Sequence, residues 1–135
     1  MAHESNSRCT ALSMAAEAGQ VGSVALLLED QRARPTLEVA DSAGWTPTMR
    51  AAENGHDECV ALLVEAARLH SANFDIDATR DNGWTALMTA AYSGCTGVVR
   101  ALCALQADPN FTSRKGFTAL MAASYSGYVE TVVAL

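Results

Sequence analysis

The chain has 135 residues, of which 50% are apolar and 6% aromatic, and its formal net charge is −6. No apolar run approaches the roughly 18 to 20 residues that span a bilayer. The first residues lack the basic and apolar segments of a secretory signal, and no basic stripe typical of nucleic-acid binders is present. We therefore expect no membrane insertion, no secretory signal and no nucleic-acid partner.

A twelve-residue segment occurs four times along the chain. Its copies are Arg8–Gly19, Gly44–Gly55, Gly83–Gly94 and Gly116–Gly127, and the last two read G-W-T-A-L-M-T-A-A-Y-S-G and G-F-T-A-L-M-A-A-S-Y-S-G. The threonines of the copies are separated by 36, 39 and 33 residues. This spacing indicates a unit of 33 residues with two insertions. Such a recurrence predicts a repeat architecture whose core forms between neighbouring repeats.

Each copy has the start and stop signals of a short helix. A threonine precedes the apolar residues and can accept a hydrogen bond from a free backbone N–H in the first turn. Pro47 stands at the first helical position of the second copy, where the missing N–H costs nothing. A glycine closes each copy and permits a left-handed turn. The threonines are Thr10, Thr46, Thr85 and Thr118, and the glycines are Gly19, Gly55, Gly94 and Gly127.

A second helix is predicted after each of these glycines, because apolar residues recur there at helical spacing. The predicted second helices are Val21–Glu29, His56–Ala67, Cys95–Leu105 and Tyr128–Leu135. Polar turns ending in glycine precede the copies at Asp41–Gly44, Asp81–Gly83 and Arg114–Gly116. We expect these turns to project from the helix pairs. The insertions fall near Gln31–Pro35 and Arg68–Phe74, and we expect them to lengthen loops.

A 33-residue unit of β-turn, helix and helix resembles the ankyrin repeat, whose signature is T-P-L-H-x-A. The resemblance implies an all-α ankyrin repeat solenoid of stacked helix-turn-helix units with β-turn fingers. It covers residues 1–135, with repeats at about 8–40, 41–79, 80–112 and an incomplete one at 113–135. The T-A-L-M variant is similar to long protist ankyrin arrays, some of which are fused to kinase domains. Leu135 falls within a predicted helix, so we expect a fragment or an array that continues.

Two departures from the family pattern affect packing. Where the family has a histidine that ties adjacent turns, this chain has Ser13, Met49, Met88 and Met121. We expect a weaker tie between turns there. Thr48 replaces the usual leucine and is expected to leave a buried polar group or a small gap.

No pattern of catalytic or metal-binding residues stands out. The histidines His3, His56 and His70 are scattered, and the resemblance assigns His56 a structural role between helices. Cys59 and Cys103 occupy columns that hold Val or Leu in other repeats, which predicts core positions. Without a C-x-x-C pair, free thiols suggest a reducing compartment. We expect no enzyme activity, no cofactor, no metal and no small-molecule substrate, in a cytoplasmic protein, with nuclear or cytoskeleton-associated locations as alternatives.

Three columns are candidates for a binding surface, because the resemblance implies that partners lie along the turn tips and the exposed side of the first helices. The candidate partner-binding residues are Trp45, Trp84, Phe117, Glu53, Tyr92, Tyr125, Asn54, Ser93 and Ser126. The aromatic members would form a ridge, and Trp and Tyr are enriched where interfaces derive most of their energy. The alternative is that each ring packs on its neighbour and completes the stack.

The charge is uneven along the chain. Residues 41–79 hold seven acidic and two basic residues, a sum of −5, whereas residues 80–135 sum to +1. This is expected to be a solvated acidic surface or a patch for a basic partner.

The resemblance therefore implies a protein-interaction module whose partner is a protein. The alternatives are the targeting or regulatory arm of a larger enzyme, such as a kinase-ankyrin fusion, and a structural array on cytoskeletal or membrane-associated proteins.

Overall fold

A computed structural model describes residues 10–30, 37, 39–70 and 74–135. Eight helices and no strands lie within these residues. The helices are α1 (Ala11–Ala18), α2 (Val21–Glu29), α3 (Pro47–Glu53), α4 (Asp57–His70), α5 (Ala86–Tyr92), α6 (Thr96–Ala104), α7 (Ala119–Ser126) and α8 (Val129–Ala134).

The helices form four antiparallel pairs that stack side by side. The odd-numbered helices pack in one row, each on the next, and the even-numbered helices pack in a second row. The buried core lies between the rows and between neighbouring pairs, and small residues such as Ala16, Ala52 and Ala91 have no exposed surface there. The predicted all-α stack of repeats is confirmed.

The predicted start signals hold in all four first helices. The threonine hydroxyl accepts a hydrogen bond from the backbone N–H three residues later, at 3.0 Å for Thr10 and 3.2 to 3.3 Å for the others. Pro47 occupies the first turn of α3. The glycine after each first helix has a positive φ between 74° and 78°, as the turn between paired helices requires.

The second helices differ from the prediction at their ends. α4, α6 and α8 each begin one residue later than expected, because Cys95 and Tyr128 take a non-helical ψ and precede their helices. The second insertion does not simply lengthen a loop. Residues 68–70 extend α4 to 14 residues, so that prediction was wrong for them, and residues 71–73 lie outside the described range. The first insertion at Gln31–Pro35 lies outside the described residues altogether.

The glycine-ended turns form narrow fingers ahead of α3, α5 and α7. In each finger a glycine N–H donates to a carbonyl three residues earlier, with Gly44 bonded to Asp41, Gly83 to Arg80 and Gly116 to Ser113 at 2.8 to 3.0 Å. The second and third turns therefore begin one residue earlier than predicted. Consecutive fingers touch through the Asp81 N–H, which donates to the Ala43 carbonyl at 3.1 Å.

Both features expected where Thr48 replaces leucine, a buried polar group and a small gap, are present. Its side chain is 7% exposed. It lines a cavity of about 80 Å³ with Met49, Phe74 and Ile76 among the other walls. The threonine lacks the branch with which a leucine would extend into this space, whose other walls include Leu37 and Ala86.

Candidate functional site

Four aromatic rings from two consecutive repeats lie together on the surface. The Trp84 ring stacks on the Phe117 ring with centroids 5.8 Å apart, and the Tyr92 ring stacks on the Tyr125 ring at 6.2 Å. Trp84 and Tyr92 meet edge to face at 5.4 Å, with 75° between their planes. The four rings line an open depression of about 350 Å³, which we call the aromatic groove.

Fingers and helices position the four rings. Trp84 and Phe117 follow the turn glycines, and their backbone N–H groups donate to Asn82 Oδ1 at 3.0 Å and Ser113 Oγ at 3.1 Å. Tyr92 ends α5, and Tyr125 occupies the equivalent position of α7. The two tyrosines are 45% and 76% exposed, whereas Trp84 is half-buried and packs against the core. A surface that exposes this much aromatic area is able to bury it against a partner.

Trp45 lies outside the aromatic groove and is covered by the protein's own cations. The Arg50 guanidinium lies 4.5 Å from the Trp45 ring centroid, and the Arg80 guanidinium lies 4.2 Å from it. Arg80 also lies 5.5 Å from the Trp84 centroid. Arg50 is fixed by an ion pair with Asp41 at 2.5 Å.

Neither arginine was among the residues predicted for the site. A signal was present, since Asp41–Arg50 and Arg80–Thr89 are polar pairs separated by the same nine residues in consecutive repeats. The sequence alone did not show that these pairs reach the aromatic column.

Of the polar candidates, Asn54 is bonded within the stack through its side chain and Glu53 through its backbone carbonyl. The Asn54 side-chain amide donates to the Glu17 carbonyl at 3.1 Å and to the Arg50 carbonyl at 3.2 Å. The Glu53 carbonyl accepts a hydrogen bond from Cys95 Sγ at 3.5 Å. Ser93 and Ser126 are half-buried beside the helix-closing glycines.

The sequence profile of the family described as "Ankyrin repeats (3 copies)" matches residues 2–73 and 65–135. The chain belongs to the ankyrin repeat family.

Three relatives illustrate how ankyrin repeats of this kind occur. Ankyrin repeat and SOCS box protein 3 from Homo sapiens is 34% identical over 105 residues, which are 78% of this chain and 19% of the relative. Transient receptor potential cation channel subfamily A member 1 from Homo sapiens is 32% identical over 73% of this chain and 8% of the relative. Ankyrin repeat domain-containing protein 63 from Homo sapiens is 41% identical over 69% of this chain and 23% of the relative. The chain therefore spans less than a quarter of each relative.

In this ankyrin stack, the residue after the helix-closing glycine packs onto the preceding repeat in the second, third and fourth repeats. His56 Nε2 lies 3.1 Å from the Glu17 carbonyl, and its ring covers Gly19. Cys95 and Tyr128 take the same place against Gly55 and Gly94. These contacts give His56 the structural role that the family resemblance implied.

The thiols of the three described cysteines have raised pKa values. Burial raises the pKa of Cys59, and the acidic Glu58 and Asp57 raise it further. Burial also raises the pKa of the Cys95 and Cys103 thiols, with a contribution from Glu53 at Cys95. A raised pKa keeps the thiol protonated at neutral pH, and the protonated form does not attack or bind metals.

Two further observations concern the described part of the chain. It contains no group of three or more His, Cys, Asp or Glu side chains placed to hold a metal ion. None of its helices has the length and apolar content needed to cross a membrane.

Proposed function

We propose that this chain is a protein-interaction module that binds a partner protein across the aromatic groove and the neighbouring fingers. The observation that supports the proposal most directly is the exposure of Tyr92 and Tyr125, whose rings stack on each other without being buried. Ankyrin repeats generally mediate contacts between proteins. Large rigid rings provide much contact area at a low cost in conformational entropy, which is why interfaces use them.

The candidate residues divide into two groups on this proposal. Trp84, Tyr92, Phe117 and Tyr125 supply the apolar contact area. Ser93 and Ser126 directly follow the two tyrosines, whereas Glu53 and Asn54 stand at the end of α3, one repeat earlier. Trp45 keeps its place through Arg50 and Arg80 rather than through the partner. The binding energy is then concentrated in the third and fourth repeats.

Affinity capture from a lysate tests the proposal with three forms of the chain. These are the natural chain, a Tyr92→Ala/Tyr125→Ala variant and a Leu26→Ala/Val133→Ala control. The control removes apolar side chains of 69% and 77% exposure from the second helices α2 and α8. Because all four side chains are exposed, the free energy of unfolding of each double variant should differ from that of the natural chain by less than about 1 kcal/mol. We expect the natural chain and the control to retain a common protein that the tyrosine variant loses. Equal capture by all three forms would contradict the proposal.

A second proposal is that the module serves as the targeting or regulatory segment of a longer protein. The lengths of the relatives favour it, since the matched segment is 8 to 23% of each. The name of one of them also joins ankyrin repeats to a second element, the SOCS box. Sequencing the complete transcript, and testing for activity any segment found beside this one, tests the second proposal.

A further inference from the structure

A cleft between the fingers ahead of α5 and α7 adjoins the aromatic groove. It has a volume of about 280 Å³, and we call it the finger cleft. Its walls are Asn82, Trp84, Ser113, Lys115 and Phe117. Trp84 and Phe117 also line the aromatic groove, so the two spaces share one stacked pair of rings. A segment that lies across this pair therefore contacts the rings of the groove and the polar side chains of two fingers.

The polar walls of the finger cleft offer hydrogen-bond donors. Asn82 Oδ1 already accepts the Trp84 N–H, and Ser113 Oγ already accepts the Phe117 N–H. The amide group of Asn82 and the ammonium group of Lys115 donate to no other described residue, and no carboxylate of a described residue is among the walls. A group that fits between these walls has to accept hydrogen bonds and is favoured by a negative charge.

The charges of the two fingers are mainly positive. Residues 80–94 and 113–127, which are these fingers and the first helices behind them, hold Arg80, Arg114 and Lys115 against one acid, Asp81. The Asp81 carboxylate is directed to the preceding finger, where its Oδ1 would lie 2.8 Å from a Cβ atom on Gly44. Arg114 and Lys115 are exposed and form no ion pair within the described part of the chain. Two cations are thus available at the end of the groove.

We infer that the aromatic groove and the finger cleft together bind an acidic segment of the partner protein, in which a large apolar side chain stands next to an aspartate or glutamate. The inference rests on the proposed function and specifies the chemistry of the partner. The apolar side chain packs on the rings of the groove, and the carboxylate accepts hydrogen bonds from Lys115 and Asn82. Complementary charges of this kind contribute mainly to the choice of partner and to the rate of association.

The net charge of −6 opposes an acidic partner only at long range. Asp57, Glu58 and Glu65 belong to α4, which lies in the second row of helices, whereas the groove is formed by fingers and first helices. Glu53 lies near enough to Arg80 to stabilise its charged form, so these two charges offset each other. At physiological ionic strength, exposed charges separated by more than about 8 Å are largely screened. The nearest cations therefore determine the sign of the bound group.

The direct test uses a capped peptide of glycine and serine residues with one phenylalanine flanked by two glutamates. Two control peptides carry glutamines or lysines in place of the glutamates, so that the length and the apolar ring are unchanged. Binding is followed by NMR at the indole N–H signals of the two tryptophans. We expect the glutamate peptide to shift the Trp84 signal and to leave Trp45, which two arginines already cover, almost unchanged. At low salt the glutamine peptide should bind about fivefold more weakly, and the lysine peptide more weakly still.

Lys115→Gln tests whether the charge of the finger cleft selects the glutamate. Its matched control is Arg100→Gln, which removes one positive charge from an exposed residue of α6 in the second row. Lys115→Gln should weaken binding of the glutamate peptide about threefold and leave binding of the glutamine peptide unchanged. Arg100→Gln should leave both unchanged. At an ionic strength of about 1 M, where the screening length is about 3 Å, the natural chain should lose its preference for glutamate.

Several outcomes would overturn the inference. These are equal binding of the glutamate and glutamine peptides, tighter binding of the lysine peptide, an effect of Lys115→Gln no larger than that of Arg100→Gln, a preference for glutamate that persists at high salt, and no response of Trp84. If one of them occurs while the Tyr92→Ala/Tyr125→Ala variant still loses its captured partner, only the inference of an acidic segment fails. If capture is insensitive to those tyrosines, the proposed function fails as well.

Discussion

At the scale of single residues, the glycines that close the first helices of the first three repeats also make room for a side chain of the next repeat. Gly94 has a φ of 74°, and a Cβ atom there would lie 2.7 Å from the Tyr128 ring. Gly127 has a φ of 78°, yet a Cβ atom there would meet no atom within 4 Å. The two glycines therefore share a backbone requirement and differ in packing, which makes them a matched pair.

We expect Gly127→Ala to lower the free energy of unfolding by about 1 kcal/mol, the cost of a left-handed backbone for an L-residue. Gly94→Ala should cost roughly 3 kcal/mol, because overpacking against Tyr128 adds to the same strain. Urea unfolding followed by circular dichroism measures both losses. Equal losses of unfolding free energy in the two variants would show that the Tyr128 ring moves aside without an energetic cost.

Asp41 links a finger to the first helix behind it. Its Oδ1 accepts the N–H groups of Ala43 and Trp45 at 2.9 and 3.0 Å, and its Oδ2 accepts from Arg50. Burial raises the pKa of this carboxyl, but the hydrogen bonds from Arg50, Trp45 and Ala43 outweigh it, and the net pKa lies below the ordinary value of 3.8.

A carboxyl whose pKa is lower in the folded state stabilises the fold above its unfolded pKa, and this contribution is lost as the pH falls through the folded pKa. We expect Asp41→Asn to cost about 1 kcal/mol at pH 7, since asparagine keeps the turn acceptor and loses the charge pair. The difference from the natural chain should shrink as the pH falls below about 4. Urea unfolding between pH 3 and 7 tests it, and a constant difference would exclude the ion pair as the cause.

At the scale of the element, α3 differs from the other first helices by its threonine in the leucine column. Leu12 and Leu87 are 1% exposed at the equivalent positions, whereas Thr48 borders the cavity of about 80 Å³. No hydrogen bond joins the Thr48 hydroxyl to another described residue. A larger apolar side chain would fill the gap and remove the buried hydroxyl.

Thr48→Leu should therefore stabilise the chain by about 1 kcal/mol. The reverse exchange in the next repeat, Leu87→Thr, should cost roughly 3 kcal/mol, because it removes a well-packed branch and buries a hydroxyl. Denaturant midpoints measured for both variants test these two expected changes in stability. A loss of stability in Thr48→Leu would mean that the cavity is too rigid to accept the branch.

At the scale of the whole molecule, the stack is one-dimensional, and a repeat buries its side chains against the neighbours on its two sides. Met88 of the third repeat is packed from both sides and is 1% exposed, whereas Met121 in the same column of the fourth repeat is 50% exposed. Leu120 and Tyr128 of the fourth repeat are also exposed, at 48% and 44%. Position in the stack thus determines the environment of two residues with nearly identical flanking sequence.

We expect Met121→Lys to change the free energy of unfolding of the 135-residue chain by less than about 1 kcal/mol. Met88→Lys should cost roughly 4 kcal/mol or prevent folding, because it places an unpaired charge in the core. Expression level and thermal unfolding of the two variants provide the measurement. A severe loss in Met121→Lys would show that its side chain is covered in solution.

The sequence by itself determined the elements of this protein, since their signals are local. A threonine hydroxyl can accept the free N–H three residues later without help from the rest of the chain. This bond forms at Thr10, Thr46, Thr85 and Thr118. The recurrence of these signals gave the stack, because each helix is too short to be stable alone. The cellular location of the protein and the boundaries of its repeats stay predictions.

Only the tertiary structure decided which side chains face each other and which remain open. Trp45, Trp84 and Phe117 occupy one column of the sequence, yet Trp45 carries two guanidinium groups while the other two border a cleft. The difference depends largely on Arg80, which belongs to the next repeat and meets Trp45 only after the fingers pack. Local patterns cannot supply such contacts, because the distance between side chains of neighbouring repeats is set by the stacking of the whole units.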